Sequence, residues 1–440
     1  MEGERKTLTQ LSVPICLETL FYMLSGMVDT LMLSSVSDQA VGAVGTANTY
    51  IGVFIIMFGV ISSGMVAVMS QNIGAGKPGI AYQARQLGLV FNALTGILMS
   101  FILAAFSGWI LKIVSIAPAL FEPAETYLKI VGGASFLNAL IPIFSSYLRV
   151  FGYTKHSLIG TVVGNVINII LNSVFLFVFN WGVMGVAAAT VFSKVVNLII
   201  VAAMGAVLIK AKQSPERAQP RKILAQIVKI GFPSAFETAL YNVAMTFIVC
   251  FMNHMDTDGM NVTARSYAMQ IANFSYCVGA ALAQANAIMT GWRIGAKKYE
   301  ECDRGTRKAV IYGLVTATCF SVTFAITGRF IVHIFTNDIQ MIELVVKLLV
   351  VDIFLEFGRV TNLVYGQALK TSGDAIFPVI MGAIFMYLFA VGGTYFLGIH
   401  MGLLAVGAYI AMAGDECARA VGMVLRWKGG KWKSKSLVEL

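Results

Sequence analysis

Long apolar segments restrict what this chain can fold into more than any other feature of its sequence. Its 440 residues are 58% hydrophobic and only 12% charged, whereas a soluble domain is about half apolar and about a quarter charged. One membrane-spanning helix takes about 20 apolar residues, and about twelve such segments follow one another here with short polar connections. The sequence therefore predicts an all-α integral membrane protein of twelve transmembrane helices in the lipid bilayer.

The basic residues are divided unevenly between the two sides of the predicted membrane. Most of the 32 Lys and Arg residues fall in the N-terminus, the even-numbered loops and the C-terminus. Positively charged loops stay in the cytoplasm, so we expect a multi-pass protein of the cell inner (plasma) membrane with both termini cytoplasmic. The net charge of +10 follows from this loop pattern, and no nucleic acid partner is expected.

The second half of the chain repeats motifs of the first half, in the same order and at a nearly constant offset. Since each half holds six spans, both enter the membrane in the same orientation, which makes a parallel repeat. The sequence therefore predicts a six-helix lobe over residues 1–210 and a second six-helix lobe over residues 223–440. A cytoplasmic linker, residues 211–222, joins the two lobes. The paired motifs are Pro14-x-x-x-Glu18-Thr19 with Pro233-x-x-x-Glu237-Thr238, Ile73-Gly74-Ala75 with Ile294-Gly295-Ala296, and Leu148-Arg149-x-x-Gly152 with Leu369-Lys370-x-x-Gly373.

Further short motifs follow in a characteristic order: Val28-Asp29-Thr30-Leu31-Met32, Gln71-x-x-Gly74-Ala75, Gly164-Asn165-x-x-Asn168, Gly182-Val183-x-Gly185 and Gly231-Phe232-Pro233. Together with the repeat, they resemble the multidrug and toxic-compound extrusion (MATE) family over nearly the whole chain. That resemblance implies two six-helix lobes that form a V around a central cavity. It also implies alternating access, with export driven by a sodium or proton gradient and amphipathic organic cations as typical substrates.

Asp29 is the clearest candidate for a functional side chain, because a carboxylate inside an apolar span is costly. The family resemblance makes it the ligand of the coupling ion, a sodium ion or a proton, with Asn168, Asn172, Thr190 and the backbone carbonyl of Val186. Family members with this sodium site often have Asp at the position of Asn172, so the choice of ion stays open. Two alternatives also stay open: Asp29 reaches the membrane interface, and the asparagines serve only as interhelical hydrogen bonds.

Five more charged residues within the spans are predicted to line the substrate cavity. Glu18 and Glu237 occupy equivalent positions of the repeat, where they would draw organic cations towards the cavity. Asp352 and Glu356 share one face of the tenth span, and Arg359 follows one turn after Glu356. The alternative for Glu356 and Arg359 is an internal ion pair that holds helices together, since buried charges are commonly paired.

These features favour a monomeric secondary active transporter, an antiporter that exports small organic molecules of cationic, amphipathic character. The alternative is a flippase for lipid-linked saccharides or peptidoglycan precursors. Such an anionic cargo would need basic residues in the cavity, and Lys194, Lys347 and Arg359 keep this alternative open. An enzyme is not expected, because the sequence has no P-loop, HExxH or GxSxG motif. No metal site and no cofactor other than the coupling ion are expected.

Overall fold

The computed structural model describes residues 6–113, 116–211, 214–255 and 259–438. Within these ranges the protein is helical and contains no β-strand. Its α-helices are α1 (Leu8–Ser34), α2 (Asp38–Gly74), α3 (Pro78–Ala105), α4 (Ser107–Ile113), α5 (Pro118–Tyr127), α6 (Phe136–Val150), α7 (Thr154–Ser173), α8 (Gly182–Leu208), α9 (Pro220–Asn253), α10 (Met260–Gly295), α11 (Tyr299–Val332), α12 (Ile339–Ser372), α13 (Ile376–Phe385) and α14 (Leu404–Lys428).

Short π-helical stretches join or extend some of these helices. Leu128–Gly132 connects α5 to α6, which bend by 42° relative to each other. Val174–Val178 extends α7, and Met386–Val391 and Thr394–His400 extend α13. Apart from the short α4, the helices of the described residues thus form twelve long rods, which confirms the predicted all-α membrane fold.

Eight of the rods found in the described ranges are long and apolar enough to cross a membrane, or nine if the bent α5–α6 pair is one span. The other three are α10, α12 and α14, and all three carry buried charged side chains. Large apolar side chains such as Ile326 and Phe330, each 78% exposed, suit contact with lipid. The buried charged side chains of α10, α12 and α14 therefore pack against neighbouring helices, whereas the apolar helices expose large side chains that can contact lipid.

The chain divides into two compact units, Met1–Phe232 and Pro233–Leu440. In the first unit a core of buried apolar side chains joins α2, α5 and α8. In the second unit α12 packs against α10, α11 and α14 around a core of its own. The division falls inside α9 at Pro233. The predicted boundaries of the lobes stay a prediction, and residues 212 and 213 of the predicted linker lie outside the described residues.

Two of the three motifs that repeat between the two halves coincide with helix ends. Gly152 ends α6 with a φ of 86°, and Gly373 ends α12 with a φ of 102°, values that glycine adopts without a steric penalty. A Cβ on Gly373 would lie only 2.2 Å from the carbonyl oxygen of Lys435. Gly76 and Lys297 likewise have positive φ at the second repeated motif. The duplication therefore preserved the turns that reverse the chain between spans.

The C-terminal segment is anchored to the second unit by Asp374, in the connection between α12 and α13. Its buried carboxylate accepts hydrogen bonds from Arg426 Nε at 2.7 Å and from Lys435 Nζ at 2.6 Å. Burial alone would raise the pKa of Asp374, but the hydrogen bonds and positive charges of the two bases outweigh it and lower the pKa below its usual value. Trp432 stacks on Trp427 beside this contact, with ring centroids 4.2 Å apart.

Replacing Asp374 by asparagine should destabilise the protein at neutral pH by about 2 kcal/mol, because charged hydrogen bonds are lost. A group with a lowered folded-state pKa stabilises the protein above its unfolded-state value of about 3.9 and loses that contribution as the pH falls through the folded-state value. Thermal unfolding of both proteins in detergent should therefore show a difference at pH 7 that shrinks below about pH 4. A difference that stays constant across this range would contradict the assignment.

Candidate transport sites

The α1 helix is held against α7 by a row of polar side chains. Pro14 has no N–H, so the carbonyl of Gln10 lacks its usual helical donor, and Thr154 Oγ1 donates to that oxygen at 3.3 Å. Further along α7, Asn165 Nδ2 donates to the carbonyl of Phe21 at 2.7 Å. Spacings of three or four residues place the polar side chains of α7 on one face. The row is Thr154, Ser157, Thr161, Asn165, Asn168 and Asn172.

The predicted ion site begins at the far end of this row. Asn172 Nδ2 donates to Asp29 Oδ1 at 2.6 Å and to Asn168 Oδ1 at 3.3 Å. Both asparagines are almost fully buried, and Asn172 Oδ1 has no hydrogen-bond partner among the described residues. The structure thus brings three of the five predicted residues into one hydrogen-bonded group. The bond from Asn172 to Asp29 is also an interhelical hydrogen bond between α7 and α1, the alternative that the sequence left open.

The other two predicted residues lie on α8. Thr190 Oγ1 donates to the carbonyl of Val186 at 2.8 Å, and both residues are buried. No hydrogen bond joins either residue to Asp29 within the described part of the chain. Tyr127 of α5, which the sequence did not single out, interacts both with Thr190 and with the Asp29 carboxylate. Whether the five residues bind an ion stays a prediction.

Lys194 changes the electrostatics of this group. It follows Thr190 by one turn of α8, and its ammonium group is close enough to Asp29 for a Coulomb interaction. Among the described residues it has no carboxylate within the 4.0 Å of an ion pair. A positive side chain therefore acts on the Asp29 carboxylate, which reduces the attraction of the site for a metal cation.

Glu18 is paired with a base of its own unit. Arg149 lies 2.7 Å from Glu18 Oε1, which also accepts a hydrogen bond from Ser157 Oγ at 3.0 Å. Its second oxygen, Oε2, is buried with no hydrogen-bond partner in the described ranges. The repeated proline–glutamate motif therefore meets the repeated Leu148-Arg149 motif in space.

The second unit contains the equivalent pair. Lys370 Nζ lies 2.5 Å from Glu237 Oε2, and Lys370 is the repeat counterpart of Arg149. The sequence predicts that Glu18 and Glu237 attract organic cations, but each carboxylate is neutralised by a base. Their place in a substrate cavity stays a prediction, whereas the proposed electrostatic attraction does not fit the structure.

Replacing Arg149 by methionine should destabilise the protein by about 3–5 kcal/mol, because the buried Glu18 carboxylate loses its counter-charge. Lys370→Met is the matched control, and it should cost less, since the Glu237 side chain is 23% exposed and that of Glu18 only 9%. Chemical unfolding in mixed micelles measures both variants. Adding Glu18→Gln to Arg149→Met should recover most of the loss. If the double variant is no more stable than Arg149→Met, the unpaired Glu18 carboxylate is not the cause of the lost stability.

The second unit contains a larger network of buried charges between α12 and α14. Arg359 lies 2.5 Å from Glu356 Oε1 and 3.6 Å from Glu416 Oε1. Arg419 lies 3.0 Å from Glu416 and 2.6 Å from Asp415. The internal Glu356–Arg359 ion pair, which the sequence left as an alternative to substrate binding, is therefore present. Two arginines and three carboxylates give this network a net charge of −1.

Asp352 lies one turn before Glu356 on α12 but outside this network. It is 4% exposed and has no hydrogen bond or ion pair within the described residues. It lines a cavity of about 40 Å³ that also borders Tyr241, Arg265 and Tyr409. Arg265 of α10 was not singled out from the sequence, where a single arginine near a helix end gives no signal. No group of three or more His, Cys, Asp or Glu side chains in the described residues is placed to hold a metal ion.

Comparison with known proteins assigns the chain to a family. The model of the family described as MatE matches residues 14–174 and 233–396. The chain is 31% identical to "Uncharacterized transporter YisQ" of Bacillus subtilis over 98% of this chain and 96% of that protein. It is 26% identical to "Probable multidrug resistance protein NorM" of Thermotoga maritima, over 99% and 94% of the two chains.

Solved structures show the same fold at low sequence identity. One is described as an outward-facing conformation of a multidrug resistance MATE family transporter, with a TM-score of 0.89, 18% identity and 98% of each chain covered. Another is a MOP superfamily transporter from Pyrococcus furiosus, described as having a binding pocket of reverse polarity, with a TM-score of 0.87, 18% identity and 98% of each chain covered. The matched family model, which covers both halves of the repeat, shows that this chain is a member of the MatE family of membrane transporters and not an enzyme.

Proposed function

We propose that this protein is a secondary active antiporter that exports small organic molecules, of cationic and amphipathic character, by alternating access. The observation that carries the proposal is the hydrogen-bonded group of Asp29, Asn168 and Asn172 inside membrane-spanning helices. An ionisable side chain in a span is costly and usually serves transport or ion translocation. Asp29 can bind and release a cation there, and its link to α7 would transmit that event to the neighbouring helix.

The proton is the coupling ion that this geometry favours. A sodium ion prefers several oxygen ligands with net negative charge, and Asp29 is the one carboxylate of the predicted set. Lys194 offsets its charge, and Asn172 directs an N–H group, not an oxygen, at Asp29 Oδ1. A proton needs only the carboxylate. The experiment below therefore compares transport driven by a proton gradient with transport driven by a sodium gradient.

The flippase alternative receives less support. An anionic lipid head group would need basic side chains that are free to bind it. Four basic residues, Arg149, Lys370, Arg359 and Arg419, are paired with carboxylates of their own unit. Lys194 and Arg265 have no carboxylate partner among the described residues, but each interacts with or lies near an acidic side chain, Asp29 and Asp352 respectively. We also propose that the protein acts as a monomer in the inner membrane with both termini in the cytoplasm, in agreement with the distribution of basic loops.

Reconstitution in liposomes tests this proposal. The purified protein is incorporated in vesicles, and efflux of a fluorescent organic cation is followed under a proton gradient and, separately, under a sodium gradient. Protein-free vesicles serve as the control. Transport driven by the proton gradient alone supports the proposal, and transport driven by sodium alone corrects the ion. No gradient-driven transport by folded, monodisperse protein would overturn the antiporter assignment and favour the flippase.

A further inference from the structure

The cavity of the second unit contains two charged side chains of opposite sign without protein partners. Asp352 of α12 and Arg265 of α10 are 4% and 8% exposed, and both line the same cavity. Neither has an ion-pair partner of opposite charge within 4.0 Å among the described residues. The Arg265 guanidinium donates to the sulfur of Met245 at 3.7 Å, and its Nε has no hydrogen-bond partner in the described ranges.

This pattern is unusual because charges this deeply buried are normally paired. Leaving a buried charge without its partner typically costs several kcal/mol. Four members of the ion-pair network also line this cavity: Arg359, Asp415, Glu416 and Arg419. Their arginines contact Glu356, Glu416 and Asp415, and neither arginine lies within ion-pair distance of Asp352. The two unpaired groups also do not pair with each other. A ligand that carries both charges would satisfy both groups at once.

The size and lining of the cavity fit the polar head of such a ligand. A volume of about 40 Å³ compares with roughly 10–15 Å³ for one water molecule, so the cavity has room for about three water-sized groups, the scale of a carboxylate beside an ammonium group. Tyr241, Tyr409, Met245 and Met269 form part of the wall. Tyrosine hydroxyls can hydrogen-bond to the head group, while aromatic rings and flexible thioethers can contact apolar parts of the solute.

We propose that this cavity binds the two charged groups of a zwitterionic organic solute, with Arg265 binding the carboxylate and Asp352 the ammonium group. Arginine matches a planar carboxylate with two parallel N–H donors. The inference rests on the proposed transport function and refines it, because the solute carries an anionic group in addition to its cationic one. A site for cations alone would have no use for a buried, unpaired guanidinium.

Equilibrium binding to the purified protein without any ion gradient tests the inference separately from transport. The probes share one aromatic scaffold: L-phenylalanine carries both charges, phenethylamine only the positive one, and phenylpropionate only the negative one. Wild-type protein should bind phenylalanine at least about tenfold more tightly than either of the other two. Equal affinity for phenylalanine and phenethylamine would overturn the proposal, and so would the absence of binding by phenylalanine.

Two variants then assign the charges. Arg265→Gln should weaken phenylalanine binding by about tenfold and leave phenethylamine binding unchanged. Asp352→Asn should weaken the binding of both amines by about the same factor and leave phenylpropionate unaffected. Arg265→Lys, which keeps the positive charge, should restore part of the affinity for phenylalanine. An equal loss for all three probes in Arg265→Gln would indicate a structural role and contradict the assignment. The wild-type comparison stands even if a variant does not fold.

Discussion

Replacing Asp29 by asparagine is expected to lower gradient-driven transport by about 100-fold or more, equivalent to about 2.7 kcal/mol. Asparagine keeps the size of the side chain and can still hydrogen-bond to Asn172, but its amide does not titrate and so cannot take up and release a proton. Because the loss concerns one titratable group and not the packing of α1, the variant should remain folded. Initial efflux rates of a fluorescent cation from proteoliposomes give the comparison with wild type.

Matched substitutions make this test specific. Glu343→Gln changes an exposed carboxylate near the start of α12 in the same way and should leave transport unaltered. Asn172→Asp adds a second carboxylate beside Asp29 and should make transport respond to sodium, since the site then has net negative charge. Retained transport in Asp29→Asn would place ion coupling elsewhere in the molecule and remove the main support for the proposed mechanism.

Replacing Arg359 by methionine is expected to destabilise the protein by about 3–5 kcal/mol. Methionine has a similar apolar stem but no charge, so Glu356 would be buried without a counter-ion. Glu416 would be affected less, because Arg419 at 3.0 Å and Asn362 Nδ2 at 3.0 Å still contact it. The free energy of unfolding in mixed micelles is the quantity to compare.

A second substitution separates the charge effect from lost packing. In the double variant Glu356→Gln with Arg359→Met, no carboxylate remains at position 356, and more than half of the lost stability should return. The remaining deficit would reflect packing and the contact between Arg359 and the Tyr276 ring, 5.7 Å apart. If the double variant is as unstable as Arg359→Met, the network is not held together by this charge pair.

Several contacts of the candidate site could be anticipated from spacing alone. Asn168 and Asn172 are four residues apart, so a shared helix face follows from helical geometry, and the family resemblance placed that face opposite Asp29. The three side chains do meet. The sequence also indicated the Glu356–Arg359 pair, because residues three apart on a helix are neighbours. Both predictions depend on local geometry within a single helix or on the order of known motifs.

The ion pairs between separate helices were not anticipated from the sequence. Glu18 and Glu237 were predicted to draw organic cations towards the cavity, and the base that pairs with each of them was not anticipated. Their partners Arg149 and Lys370 come from distant helices, although the repeated motifs contained the signal, because acid and base recur together in both halves. Lys194 near Asp29 and the unpaired Arg265 had no comparable signal.

The sequence by itself determined that this protein is a twelve-helix membrane protein with a duplicated architecture, and it identified Asp29 as an ionisable group within a span. These properties follow from the length and composition of single segments, because a helix in lipid satisfies its backbone hydrogen bonds internally. Only the tertiary structure decided which charges neutralise one another and which remain unpaired. The pairing of charges depends on which faces of separate helices pack together. In a buried site, a difference of a few ångströms decides whether two charged side chains form an ion pair or remain apart and face a cavity.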